Sequence, residues 1–455
     1  MDLLSYPPHI RIKMLNFSQV IASAVSGSRV SCPGNNLFNQ QLGIHRRGLA
    51  PLPRGAATKS ALSLLIGMMF ALPAHAEISD TIHPFVTVSY SYDDNLLLRP
   101  TNGTGVDAPQ SDSFTRIEGG LSFDRPFGRQ ILSGHAKVSR VSYDRLSSLD
   151  YNGKDLLAAL NWHVGSHVDG HLGVSYSETL ASFADFHSAE RNLVRKRGQY
   201  VDGGWLFHPN WRLRAGFTRD NYGYDLASQV YNNRTEDAAL LGIDFLASSS
   251  STVGFQLRRV KGAYPNQRSV GGLLIDDGYE QNEAKANISW ALSGTTQVDF
   301  LGGWTQRKQN FASGSNDSGA NYRVVGHWSP LGQVTFTAAG WREFAAVDAL
   351  SSINGSTSSL NQGASLGANW AVSAKVSANA QLSRQKRDFS ALNGVVAPQD
   401  STDVTNGASV GVSYALLKSV QLGGNVSHMS RNSDTVSGVN NYRSNAITVN
   451  ATGQF

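Results

Sequence analysis

VDGHLGVSYS, residues 168–177, decides the fold. Val168, Gly170, Leu172, Val174 and Tyr176 fall on one side of an extended chain. Asp169, His171, Gly173, Ser175 and Ser177 fall on the other. A period of two is the signature of a strand with one apolar and one polar face. The alternation returns at 211–218, where Trp211, Leu213, Ala215 and Phe217 oppose Arg212, Arg214, Gly216 and Thr218. It returns again at 407–414, where Ala408, Val410, Val412 and Tyr414 oppose Gly407, Ser409, Gly411 and Ser413. After Glu77 no stretch sustains a 3.6-residue period, and none has 18 consecutive apolar residues. The chain reads as all-β.

The connections sort by length. Short ones include HVGSHV (163–168), HPNW (208–211), SPLGQ (329–333) and ALLKS (415–419). Between them run longer polar stretches such as 180–194, 261–279, 344–358 and 388–401. Prolines after the first 76 residues stand at segment edges or in these connections, where a missing N–H does no harm. An aromatic residue closes the apolar face before each short turn: Phe123, Trp162, Phe207, Phe245, Trp290, Trp328, Trp370 and Tyr414, with Phe455 at the end of the chain. They recur about every 42 residues, one hairpin plus its long loop. Rings in this register suit a membrane–water girdle. The expected architecture is a transmembrane antiparallel β-barrel of about 18 strands, with 16 as the alternative. It has short periplasmic turns and long extracellular loops. Its first strand begins near Phe85.

Composition fits this reading once the chain is divided. Of 455 residues only 16% are charged, 45 are Gly and one is Cys, and the formal charge is +5. Residues 61–72, ALSLLIGMMFAL, form an apolar run too short to span a bilayer. Arg54 and Lys59 precede it, and Pro73-Ala74-His75-Ala76 follows, which is the layout of a secretory signal. Residues 1–76 are therefore expected to be an N-terminal extension plus signal peptide, and 77–455 the barrel. The extension carries seven of the Lys and Arg residues, one acidic residue (Asp2) and the lone Cys32. Its removal leaves a nearly neutral, cysteine-free chain suited to an oxidising compartment. The basic surplus then gives no support for nucleic acid as a partner.

HPFVTVSYSYDDNLLL, residues 83–98, resembles the opening strand of the β-barrel porins of exopolysaccharide operons, the EpsL type. The carrying motif is Tyr92-Asp93-Asp94-Asn95-Leu96. The terminal Phe455, with Ile447, Val449, Ala451 and Gly453 alternating behind it, resembles the C-terminal signal read by the outer-membrane assembly machinery. The resemblance implies an integral protein of the outer membrane of a Gram-negative bacterium that supports export or passage of a polysaccharide. It implies no catalytic residues. A general diffusion porin and a loop-plugged structural or adhesive barrel are the other readings.

The site residues follow from the two faces. Arg116, Glu118, Lys137, Asp169, Asp202, Arg212, Arg214, Glu283, Lys285, Asp299 and Arg323 are expected to line the lumen, and their mixed signs favour neither anions nor cations. Later lumen faces are small and neutral: Gly363, Ser365, Gly367 and Asn369, then Gln421, Gly423, Asn425 and Ser427. Few aromatics are expected to point inward. On the outward register, Arg140, Arg219, Arg259, Lys308, Arg342 and Arg384 each supply the first charge at the long-loop end. A charge at mid-membrane costs about 2–4 kcal/mol and at the interface about 0–1, so these six form a collar at the rim. Lipopolysaccharide phosphates and outer-membrane lipid are its expected partners. Asp93-Asp94-Asn95 could offer oxygens to calcium, but such a run is also ordinary loop chemistry. His163, His167 and His171 are spaced by four, yet a turn separates them and strand spacing holds His167 and His171 about 13 Å apart. No GxSxG follows Glu77. Neither an enzyme, a metal site nor a cofactor is expected.

Overall fold

The computed structural model describes residues 81–455 except 185, 271–272, 312–315, 347–357, 390–400 and 435–440. The expected leader, with its cleavage signal and Cys32, lies outside the described residues. The strands run in chain order as β1 (Ile82–Asp93), β2 (Asp112–Phe127), β3 (Gln130–Tyr143), β4 (Tyr151–Val164), β5 (Val168–Leu180), β6 (Leu193–His208) and β7 (Trp211–Tyr224). They continue as β8 (Arg234–Leu246), β9 (Thr252–Ala263), β10 (Arg268–Val270), β11 (Leu273–Ile275), β12 (Tyr279–Ser293) and β13 (Thr296–Gln309). The remainder are β14 (Asn316–Leu331), β15 (Val334–Ala346), β16 (Ser358–Ala371), β17 (Val376–Phe389), β18 (Ser401–Leu417), β19 (Val420–Ser433) and β20 (Tyr442–Gln454).

Eighteen of these strands form one antiparallel sheet that closes on itself. Each barrel strand pairs with the next, and β1 also pairs with β20, from Phe85 opposite Gln454 to Asp93 opposite Ala446. Closure leaves no unpaired edge, which is the condition for spanning hydrocarbon with strands. The strand count is 18, and the small hairpin β10–β11 lies within the long connection between β9 and β12 rather than in the wall. Among the described residues no helix is long and apolar enough to cross a membrane.

The polarity of the molecule is inverted. Leu241 is 64% exposed on the outside of the wall, whereas Asp244, three residues on and facing inward, is 0% exposed. A water-soluble protein would reverse these two. The inversion follows from the period of two, because every outward residue is followed by an inward one. Short turns gather at one end and long connections at the other. Two of the short turns use Gly128 and Gly165 at positive φ, a conformation that a side chain would strain. Register shifts before the turns, as between Leu206 and His208 or Ala415 and Leu417, re-aim the chain into them.

Close approach accounts for part of the glycine content. The Tyr200 ring lies flat on Gly173 across the β5–β6 pair, and a Cβ at Gly173 would sit 2.6 Å from it. Trp341 covers Gly363 in the same way, at 2.5 Å. Both rings face inward, as do Tyr143, Tyr151, Tyr222, Tyr279 and Tyr442 by their register. The inner wall is thus richer in aromatic rings than its sequence suggested. Tyr143, Tyr151, Tyr222, Tyr279 and Tyr442 all stand at the long-loop ends of their strands.

Candidate functional site

The candidate site is the inner wall and the long-loop mouth. All eleven residues expected in the lumen alternate with outward apolar residues and fall on the inner face. Side chains from adjacent strands bring several of them together. Lys137 Nζ lies 2.9 Å from Asp155, which His135 also meets at 2.9 Å. His171 Nδ1 lies 2.8 Å from Asp202. Arg212 and Arg214 converge on Asp244, with Nη2 donors at 3.0 and 2.8 Å. Lys285 Nζ and Arg258 Nη1 meet Glu283 at 2.8 and 2.9 Å. Arg323 donates twice to Glu343, through Nε at 3.0 Å and Nη2 at 2.6 Å. Asp299 accepts from Gln297 at 3.2 Å and has no part in these ion pairs, nor does Asp169. Arg116 and Glu118 are buried neighbours on the inner face of β2.

Sequence reading missed further members. Lys196 pairs with Asp220 at 3.4 Å, and Arg234 with Glu236 at 2.8 Å. Arg387 Nε donates to Asp403 at 3.0 Å, and Arg431 Nε lies 3.8 Å from the same carboxylate. These last three correct the expectation of a wholly neutral later lumen. Extending the inner register of β17 by one step, from Gln385 to Arg387, would have found the first of them. The neutral strip does persist from the middle of β16–β20 toward the short-turn end. Ser377 and Asn379 are exposed there, and hydroxyls bridge the seam, Thr87 to Thr452 at 3.0 Å and Ser91 to Thr448 at 2.9 Å.

Burial changes along the barrel axis. On β12 the inner residues Tyr279, Gln281, Glu283 and Lys285 are buried, whereas Asn287 and Ser289 are half-buried. On β17 Arg387 is buried and Ser377 is exposed. Along β12 and β17 the interior is thus filled toward the long loops and more open toward the short turns, whereas Arg214, Asp244 and Gln256 are buried close to the short turns of β7–β9.

Two connections do part of the filling. Residues 94–111 turn inward and set Leu96 and Leu97 in an apolar cluster with Val141, Tyr143, Leu149, Tyr151 and Leu193. Phe183, from the connection 181–192, packs on the same cluster. That connection then reaches the opposite strands: His187 stacks edge-on against Tyr442 at 6.1 Å and meets the Leu97 carbonyl at 3.1 Å. In the connection after β3, burial and the nearby Asp112 carboxylate push Asp144 above the ordinary carboxylate range.

The Tyr92–Leu96 motif works as a clasp. Asp93 Oδ1 accepts from the Asn95 backbone and from Ser444 Oγ, each at 2.8 Å. Asp94 accepts from the Asn445 backbone and side-chain amides, each at 2.7 Å. Asn95 Nδ2 donates to the Arg99 and Arg443 carbonyls at 2.8 and 2.9 Å, and Asn95 Oδ1 accepts from the Arg99 backbone at 3.0 Å. These oxygens are spent on holding the first strand to the last and on turning Leu96–Leu98 into the mouth. Among the described residues no three His, Cys, Asp or Glu side chains gather as for a metal. His167 stays in its turn against Ser166 at 2.9 Å, away from His171.

The outer face carries the aromatic positions at the short-turn end. Trp328 stacks on Phe336 with ring centres 5.5 Å apart, and Phe245 meets Trp211 at 5.3 Å. Phe207 meets Trp205 at 5.9 Å, and Trp290 and Trp370 are exposed. The Phe455 backbone donates to the Pro84 carbonyl at 2.9 Å, tying the last residue to the first strand. At the other end the six collar cations face outward, and three have carboxylate partners. Arg140 meets Asp150 at 3.1 Å, Arg219 meets Asp237 at 2.6 Å and Arg259 meets Glu280 at 2.7 Å. Arg342 donates to the Ala320 carbonyl at 3.1 Å and Arg384 to Asn406 at 3.3 Å. Lys308 lies opposite Glu280 in the β12–β13 register. Lys154, Arg195, Arg197, Lys261 and Lys386 stand on the same rim and were not singled out from the sequence.

A closed, even-stranded antiparallel barrel with an apolar outside and a charged inside is the outer-membrane class of protein. Residues 279–455, from β12 to the end of the chain, match the family described as "Putative beta-barrel porin 2". The match covers the C-terminal part of the barrel, β12 to β20. Among solved structures the chain is similar to OpdK of Pseudomonas aeruginosa, with 10% identity, 82% of this chain and 99% of that chain covered, and a TM-score of 0.45. It is similar to OccK2 (OpdF) of Pseudomonas aeruginosa, with 10% identity, 83% and 99% covered, and a TM-score of 0.47. It is also similar to the alcaligin receptor FauA of Bordetella pertussis, with 13% identity, 81% and 76% covered, and a TM-score of 0.43. No curated protein matches the chain.

Proposed function

We propose that this barrel is a non-enzymatic outer-membrane conduit that supports the export or passage of a polysaccharide. The observation that carries the reading is the uncharged strip on the inner wall of β16–β20 and β1. It presents amides, hydroxyls and glycines where the remaining inner charges are held in pairs. A hydroxyl-rich chain exchanges hydrogen bonds with such a surface without desolvating a fixed charge. Barrels of 16–18 strands are wide enough for an aqueous channel. In this reading the short turns are periplasmic and the exposed inner face of β17, at Ser377 and Asn379, opens toward the periplasm.

Reconstitution in planar bilayers and in liposomes loaded with neutral oligosaccharide tests the reading. Stable conductance with oligosaccharide efflux is the expected result. Conductance with salt leakage alone makes the protein a general diffusion porin. Silence in both assays makes it a plugged barrel, the reading that the Leu96–Leu97 cluster favours.

We propose the lipopolysaccharide-binding collar in narrower form. Arg342 and Arg384, whose hydrogen-bond partners are neutral oxygens, are collar cations able to neutralise lipopolysaccharide phosphate. The double variant Arg342→Gln, Arg384→Gln is expected to lose co-purified lipopolysaccharide while folding normally. Undiminished lipopolysaccharide would remove the proposal.

A further inference from the structure

Arg212, Arg214, Arg258, Arg323, Arg234, Arg387 and Arg431 each meet a carboxylate on the inner face, but Arg307 on β13 meets none among the described residues. It is 2% exposed. Its Nη1 donates to Gln281 Oε1 at a long 3.4 Å, and its guanidinium carbon lies 3.5 Å from the centre of the Tyr279 ring. Its Nε and Nη2 have no hydrogen-bond partner. The nearby carboxylates are engaged elsewhere: Glu283 with Arg258, Lys285 and Gln281, and Asp317 with Ser358. The inner positions on either side share the deficit. Thr305 Oγ1, fully buried, has no partner, and neither side-chain polar atom of Gln309 has one.

Burying a guanidinium without a counter-charge is strongly unfavourable, so this site calls for a partner beyond the described residues. The unfilled edge identifies it. Nε and Nη2 share one edge of the planar guanidinium and present two parallel N–H bonds, the fork that a carboxylate accepts with both oxygens. The Tyr279 ring occupies the face of the group and leaves that edge free. Thr305 offers a hydroxyl donor and Gln309 an amide donor from the same strand face.

We propose that Arg307, flanked on either side by Thr305 and Gln309, binds a carboxylate on the inner wall, from a small organic acid or from the uronate of an acidic glycan. The site is defined by this wall alone and stands whether or not the barrel passes a polysaccharide. Titration calorimetry of the detergent-solubilised full chain tests it with acetate, galacturonate, galacturonate trimer and galactose. Acetate and galacturonate are expected to bind and galactose not to. Trimer binding tighter than monomer identifies the glycan as the source, and equal binding identifies the free acid. Arg307→Gln is expected to weaken carboxylate binding at least ~10-fold, the cost of losing a charge-assisted bidentate pair. Arg129→Gln, in a short turn, leaves it unchanged. If Arg307→Gln does not fold, Thr305→Val serves, with a weaker loss of about threefold expected from one neutral hydrogen bond. Absence of carboxylate binding to the unaltered chain, or equal binding after substitution at Arg307 or Thr305, overturns the proposal and leaves water as the occupant.

Discussion

Asp244→Ala is expected to destabilise the folded barrel by about 3–5 kcal/mol, the cost of breaking a buried ion pair from one side. The carboxylate is completely buried and accepts from Arg212 and Arg214, both on β7. Asn287 Nδ2 adds a third donor at 3.4 Å. Removing it leaves two like charges side by side on alternate inner positions of one strand. Arg214 is itself buried, so bulk water does not make good the loss of the carboxylate. The magnitude rests on the uncompensated charges rather than on the net worth of the original pair, which burial largely cancels. A triple variant that also carries Arg212→Met and Arg214→Met should therefore recover most of the loss. Urea unfolding in detergent, followed by heat-modifiable gel mobility, measures both. A loss under about 1 kcal/mol for the single variant would mean that water reaches the Arg214 guanidinium, contrary to its burial.

The second large effect is expected at the mouth. Leu97 is 0% exposed and belongs to the cluster that joins residues 94–111 to the inner face of β3, β4 and β6. Leu97→Ala removes apolar contacts worth about 2–5 kcal/mol at a buried leucine, and Leu97→Asp adds the burial of a charge. The cost falls on docking of the connection, since the wall keeps its own ladder of hydrogen bonds. A change of that size shifts the docked-to-undocked ratio by on the order of 30-fold or more. Leu97→Asp channels in planar bilayers should accordingly show larger conductance and longer open times than unaltered ones. Equal conductance from a correctly folded variant would show that the cluster does not obstruct the path.

Much of the fold is legible in the sequence because a strand wall is a local code. Val168–Ser177 assigns each residue to a face without reference to any other strand. The rings at Trp290, Trp328 and Trp370 announce each short turn by themselves, because the water interface falls at a fixed place along every strand. The same code puts Arg212, Glu283 and Arg323 on one side of the wall. It says nothing of partners. Asp244 lies 30 residues from Arg214, and Asp403 lies 28 residues before Arg431, so their meetings depend on strand register. Opposite charges on neighbouring strands also blunt the collar: Arg219 looks like a lone rim cation until the β7–β8 register places Asp237 beside it. The Asp93-Asp94-Asn95 run shows the same limit. Its oxygens suit calcium by composition, and only the closure of β1 on β20 gives them Ser444 and Asn445 instead.

The sequence by itself therefore determined the period of two, the apolar outside, the positions of the turns and the even strand count, because each depends on neighbours within one strand or one hairpin. The tertiary structure alone decided which charges cancel, which cation is left over at Arg307, and that the Tyr92–Leu96 motif folds three leucines into the mouth. Those outcomes depend on residues brought together by closure of the sheet. Closure turns alternating faces into an inside, and inside a wall an unpaired charge costs far more than it would on a surface in water.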